Sequence, residues 1–187
     1  FWDVFGGPDV ALLDPYMISK LPKHLLAATA LDALAHALEG STTIMANPIA
    51  DAVAMGAIKL LIKDKAIERA YNNPEDTDAL ELLMTAASMG GMAFNRTNVN
   101  VGHALAHAIG ATSRVHHGVC CAIAAPFVAR TQLPAIPEKA RMIGEAMGID
   151  LPASMSAEEV ANKIADEIAA LTKNVGRSEE RRVGKEC

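Results

Sequence analysis

The stretch KHLLAATALDALAHALEG, residues 23–40, decides how this chain folds. Alanine and leucine fill 11 of its 18 positions, and both are strong helix formers with no β-branch. Its end at Gly40 predicts a helix over Lys23–Glu39 with the glycine as C-cap. The same bias runs through the whole sequence. Of 187 residues 35 are Ala, while Phe, Trp and Tyr together supply 4%, so residues that favour strands are scarce. The fold class expected is all-α.

Working outward, Pro8–Pro22 carries three prolines and predicts an extended lead-in with one short strand at Val10–Leu13. Pro48 opens a second helix, Ile49 to about Tyr71, which Asn72-Asn73-Pro74 ends. A third helix is expected from Asp76 to Phe94, and Asn95–Asn100 is a polar interruption. Val101–Ile109 resumes as a helix ending at Gly110, and Val119–Arg130 is apolar enough for a core helix. Two amphipathic helices follow, Glu138–Met147 and Ala157–Leu171, the second opened by a Ser156/Glu159 capping box.

Composition excludes several functions. A formal charge of −5 offers no basic patch for nucleic acid or anionic lipid. The longest apolar run, Val119–Ala129, contains Pro126 and falls short of the ~20 residues that cross a bilayer. No signal peptide is readable at the start. Cys120 and Cys121 lie side by side in an apolar run and read as buried thiols, which suits a reducing, cytoplasmic compartment.

The chemistry concentrates in the histidines. Asp32 and His36 stand four apart on one helix, so both project from the same face. His103 and His107 repeat that spacing, and a turn after Gly110 can return His117, or its neighbour His116, to the same point. Spacing does not choose between those two. Imidazoles with a carboxylate suit iron, zinc or manganese. HExxH is absent, which removes the zinc-protease reading, and no Gly-rich phosphate loop is present.

Thr29–Glu39 (TALDALAHALE), Gly102–Ala111 (GHALAHAIGA) with His116-His117-Gly118, the lead-in Pro8–Pro15 and Ala140–Gly148 together resemble the iron-containing (group III) alcohol dehydrogenase family. The resemblance runs from about Pro8 to Gly176. It implies the helical metal-binding domain of the dehydroquinate synthase-like, iron-type alcohol dehydrogenase fold, here cut at both ends. It also implies Asp32, His36, His103 and His117 as ligands of Fe2+ or Zn2+. His107 is implied beside the nicotinamide and the substrate as a proton-transfer residue, and Phe94 as a wall of the substrate pocket, where core packing is the alternative. Ala108 stands where many members have Pro, and Asn98 and Asn100 occupy a region that is often Gly-rich.

The implied activity is interconversion of a small alcohol with an aldehyde or ketone by hydride transfer, the metal acting as Lewis acid. NAD or NADP is expected to be bound mainly by a nucleotide-binding half outside this chain, so the isolated chain should turn over little or no alcohol. The full-length protein is expected to be a homo-oligomer. A glycerol dehydrogenase or dehydroquinate synthase relative is the alternative within the superfamily, and a non-catalytic helical metal-binding module the alternative outside it. The domain organisation expected is therefore a lead-in over 1–22, the helical metal-binding domain over 23–176, and a tail over 177–187. That tail, RSEERRVGKEC, resembles a translated sequencing adapter and is expected to be disordered.

Overall fold

A computed structural model describes the backbone of residues 9–183 and the side chains of residues 9–175. The described residues are all-helical, without a strand. Helix α1 (Lys23–Thr42) buries 13 of its 20 residues, with apolar side chains on every side, which makes it the central helix. It packs against α4 (Thr77–Thr97), α6 (His117–Gln132) and α2 (Pro48–Ile58). Helix α5 (Val101–Ser113) pairs with α6, while α7 (Pro137–Met147) and α8 (Ala157–Val183) close the other side, α8 lying along α6. No helix among the described residues is long and apolar enough to cross a membrane.

Local chemistry sets most boundaries. The Asn47 side chain accepts hydrogen bonds from the N–H groups of Ile49 and Ala50, with Pro48 at the first helical position of α2. Asp76 caps α4 through the Ala79 N–H and is held in turn by two hydrogen bonds from the Arg69 guanidinium at 3.0 Å. The Ser156/Glu159 capping box is formed: the Ser156 N–H donates to Glu159 Oε2 at 2.7 Å and the Glu159 N–H to Ser156 Oγ at 3.2 Å.

Five expectations are corrected. The Val10–Leu13 segment is not a strand: it has no partner among the described residues, and Val10 and Leu12 point to solvent. Gly40 is not a cap. The helix runs on to Thr42, and the glycine answers a close approach instead: a Cβ at Gly40 would lie 3.0 Å from the Phe94 nitrogen of α4. The expected second helix is broken into α2, a π-helical turn over Lys59–Lys63, and α3 (Ala66–Asn72), with Lys65 left-handed at φ 58°. The extra residue in that turn brings Ile58, Leu61, Ala66 and Ile67 all into the core, which one uninterrupted helix would not do. The polar interruption before α5 is shorter than expected, since α4 reaches Thr97, whose buried hydroxyl bonds the Ala93 carbonyl. Helix α5 likewise passes Gly110 to end at left-handed Arg114.

Helix α8 extends beyond Leu171 to Val183, so its backbone continues into the expected tail. Residues 184–187, and the side chains from Gly176 onward, lie outside the described residues, as does the start of the lead-in over 1–8.

Gly118, one residue past His117, seats α6 on α1. A Cβ there would stand 2.2 Å from the Ala28 carbonyl oxygen, a backbone atom that has no rotamer to escape into. Gly118→Ala is expected to cost about 3 kcal/mol, the upper end of overpacking penalties, and to loosen the start of α6. Chemical denaturation measures it; a loss below about 1 kcal/mol would mean the two helices separate freely.

Candidate metal centre

Three helices converge on one carboxylate oxygen. Helix α1 supplies Asp32, and its Oδ1 lies 3.9 Å from His36 Nε2 on the next turn, 3.5 Å from His103 Nε2 on α5 and 3.6 Å from His117 Nε2 at the start of α6. The connection Arg114-Val115-His116 turns α5 back onto α6 and so delivers His117. His116 does something else. It is the N-cap of α6, its Nδ1 accepting a hydrogen bond from the Gly118 N–H at 3.2 Å. Of the two adjacent histidines, only His117 reaches Asp32.

The remaining residues singled out in the sequence surround this point. The His36 ring is stacked between His103 and Phe94, with centroids 4.6 and 4.5 Å away. Phe94 is half-buried and lies against a histidine rather than in the main apolar core. His107 is exposed on α5, one turn after His103, with its ring 5.1 Å from that of His117.

Two residues were not read from the sequence as part of the site. Glu39, 4% exposed, accepts hydrogen bonds from the Asn100 N–H at 2.6 Å and the His103 N–H at 3.2 Å, and its Oε1 lies 2.8 Å from His103 Nδ1. It ties α1 to the start of α5, and its contact with Nδ1 is of the kind a histidine would need if its Nε2 were to bind a metal. Its position, seven residues after Asp32 and three after His36 on the same helix face, was the available signal. Cys121 is the other. One turn after His117, its Sγ lies 3.5 Å from His117 Nε2, and Asp32, His103, His117 and Cys121 each offer a ligand atom within 4.8 Å of the others.

The donor set fits a cation. Asp32 Oδ1 and His103 Nε2 are buried, face each other at 3.5 Å and have no hydrogen-bond partner, an arrangement that a bound cation would satisfy. Electrostatics agree. Burial works against the Asp32 carboxylate, yet contacts with His103, His36, Cys121 and His117 hold its pKa below the ordinary value. Burial lowers the pKa of His36, which favours its neutral form, although Asp32 opposes this. Burial also opposes the His103 imidazolium, but Asp32, Cys121 and Glu39 outweigh it and raise the pKa from 6.5 to about 11.

A pH dependence follows. In the metal-free chain the raised pKa of His103 contributes stability that is complete below pH 6.5 and is lost as pH climbs toward about 11. A metal needs the Nε2 lone pair, so it must displace that proton, and its binding strengthens with pH over the same window. Thermal melts from pH 6 to 9 should show the metal-induced rise in Tm widening as pH increases. A gap that narrows would contradict this.

The model of the Fe-containing alcohol dehydrogenase family, C-terminal, matches residues 26–182. The chain belongs to this family. It is 37% identical to the 1,3-propanediol dehydrogenase of Klebsiella pneumoniae over 169 residues, which are 90% of this chain and 43% of that protein. It is 32% identical to the NAD-dependent methanol dehydrogenase of Bacillus methanolicus over 90% of this chain and 44% of the relative. The crystal structure of a 1,3-propanediol oxidoreductase superimposes with a TM-score of 0.83 at 37% identity, covering 91% of this chain and 44% of the other. The chain thus spans less than half the length of these iron-type alcohol dehydrogenases, and the all-helical fold is that of their C-terminal domain.

Proposed function

We propose that this chain is the metal-binding half of an NAD(P)-dependent alcohol dehydrogenase acting on a small alcohol and the corresponding aldehyde or ketone. Asp32, His36, His103 and His117 hold a divalent cation, Fe2+ or Zn2+, by their Oδ1 and Nε2 atoms. The observation that carries the reading is the pair of buried, unpartnered atoms, Asp32 Oδ1 and His103 Nε2, facing His117 across one point. One carboxylate and neutral imidazoles leave the cation net positive, and when bound it supplies Lewis-acid polarisation of the substrate's C–O group.

The chain's own residues do the rest. Glu39 accepts the Nδ1 proton of His103 and so leaves Nε2 free to face Asp32. His107, exposed beside His117, is placed to carry the alcohol proton between the site and solvent. Phe94 stacks on His36 and excludes water from that flank. The dinucleotide, NAD or NADP, is held mainly by residues outside this chain, so the chain alone binds metal without turning over alcohol. The relatives named for 1,3-propanediol and methanol support a small alcohol. The full-length protein is a homo-oligomer in this reading, and its buried free thiols suit the cytoplasm.

The test is metal content after anaerobic purification. About one iron or zinc per chain is expected, lost in His117→Ala and kept in His107→Ala. In the full-length enzyme His107→Ala should lower kcat by about 100-fold, the lower range for a proton-transfer group. A helical chain that holds no metal would overturn the assignment.

A further inference from the structure

Cys121 has no part in the mechanism above, yet it is the fourth member of the group that converges on Asp32. We propose that Cys121 is itself a metal ligand, so that the cation held by Asp32, His36, His103 and His117 also carries a thiolate. This rests on the metal-centre reading and deepens it.

Helix geometry places the sulfur there. His117 and Cys121 are one turn apart on α6, so their side chains share a face, and Cys121 Sγ lies 3.5 Å from His117 Nε2. Adjacent Cys120 points elsewhere: its S–H donates to the Val115 carbonyl oxygen at 3.7 Å. A second observation shows that the space beside the sulfur takes a ligand. His103, with a side chain 6% exposed, directs an unpartnered Nε2 into the same point. With His36 among them, three imidazoles, a carboxylate and a sulfur make a five-donor set, each donor of a kind that zinc and cobalt accept. On binding, the Cys121 S–H bond breaks, its proton leaves to solvent, and the sulfur coordinates as thiolate, with no change of oxidation state. A thiolate softens the site, so it favours Zn2+ or Co2+ over Mn2+.

The experiment uses the whole chain loaded anaerobically with Co2+ alone. A thiolate-to-cobalt charge-transfer band in the near ultraviolet is expected beside the visible bands of bound cobalt, lost in Cys121→Ser and kept in Cys120→Ser. Zinc-edge X-ray absorption of the unaltered Zn2+-loaded chain decides the matter independently of how any variant folds. A sulfur shell at about 2.3 Å is expected. Bound metal with only nitrogen and oxygen neighbours, or a charge-transfer band that survives Cys121→Ser, would overturn the proposal and leave the metal centre standing. A helical chain that takes up neither cation would overturn both.

Discussion

Asp32→Asn is expected to abolish tight metal binding while leaving the helical fold in place. Asp32 Oδ1 is the atom on which the site is centred, within 3.5–3.9 Å of three imidazole nitrogens. The amide keeps the size of the side chain and removes its charge. The cation then loses its carboxylate, and three imidazoles compensate poorly for the desolvation of a divalent ion. Loss of an outer-sphere partner alone typically costs ~10–100-fold in metal affinity, so loss of this carboxylate should exceed about 100-fold. Competition against a chelator of known affinity measures the change, with circular dichroism as the control for folding. The metal-free protein should respond too, because Asp32 helps to hold the His103 proton. An Asn variant that binds metal as tightly as the parent would remove Asp32 from the ligand set.

Replacement of Glu39 should have the largest effect on stability. Its carboxylate is 4% exposed and serves the Asn100 N–H, the His103 N–H and the His103 ring together. Glu39→Ala leaves these groups buried without an acceptor and strands a His103 that is protonated in the metal-free state. Breaking a buried pair by deleting one member costs roughly 3–5 kcal/mol, a large share of the ~5–15 kcal/mol that stabilises a typical domain. Glu39→Gln separates folding from function. It retains an acceptor oxygen and the packing volume, so most of the stability should return. Without the negative charge, His103 Nδ1–H is held less strongly, and metal affinity should still fall by ~10–100-fold. Denaturant melts of both variants, with metal titrations of the Gln variant, check the two halves. A Gln variant of undiminished metal affinity would make Glu39 a purely structural tie.

Much of this was written in the sequence. The all-helical class follows from an alanine-rich chain poor in aromatics, because local helix preference and apolar periodicity agree along most of it. The same 3.6-residue period puts Asp32 with His36, and His103 with His107, on shared faces without knowledge of the fold. The Ser156/Glu159 cap is equally local, since it needs only the three residues that follow.

What the sequence left open depends on contacts between distant segments. Gly40 carries the mark of a helix end, yet the approach of α4 explains the glycine and the helix continues. Lysines and apolar residues around Lys59–Lys65 suit an unbroken helix, and only the core they must fill forces the π turn. His116 and His117 are alike in sequence. The turn from α5 into α6 makes one a cap and brings the other to Asp32. Glu39 and Cys121 each read as an ordinary helix residue until α5 and α6 fold onto α1. Helix periodicity fixes which side chains share a face, and the packing of three helices fixes which faces meet. The sequence by itself therefore determined the elements and most of the candidate ligands, while the tertiary structure alone decided the point at which they converge and the acidic and sulfur groups that surround it.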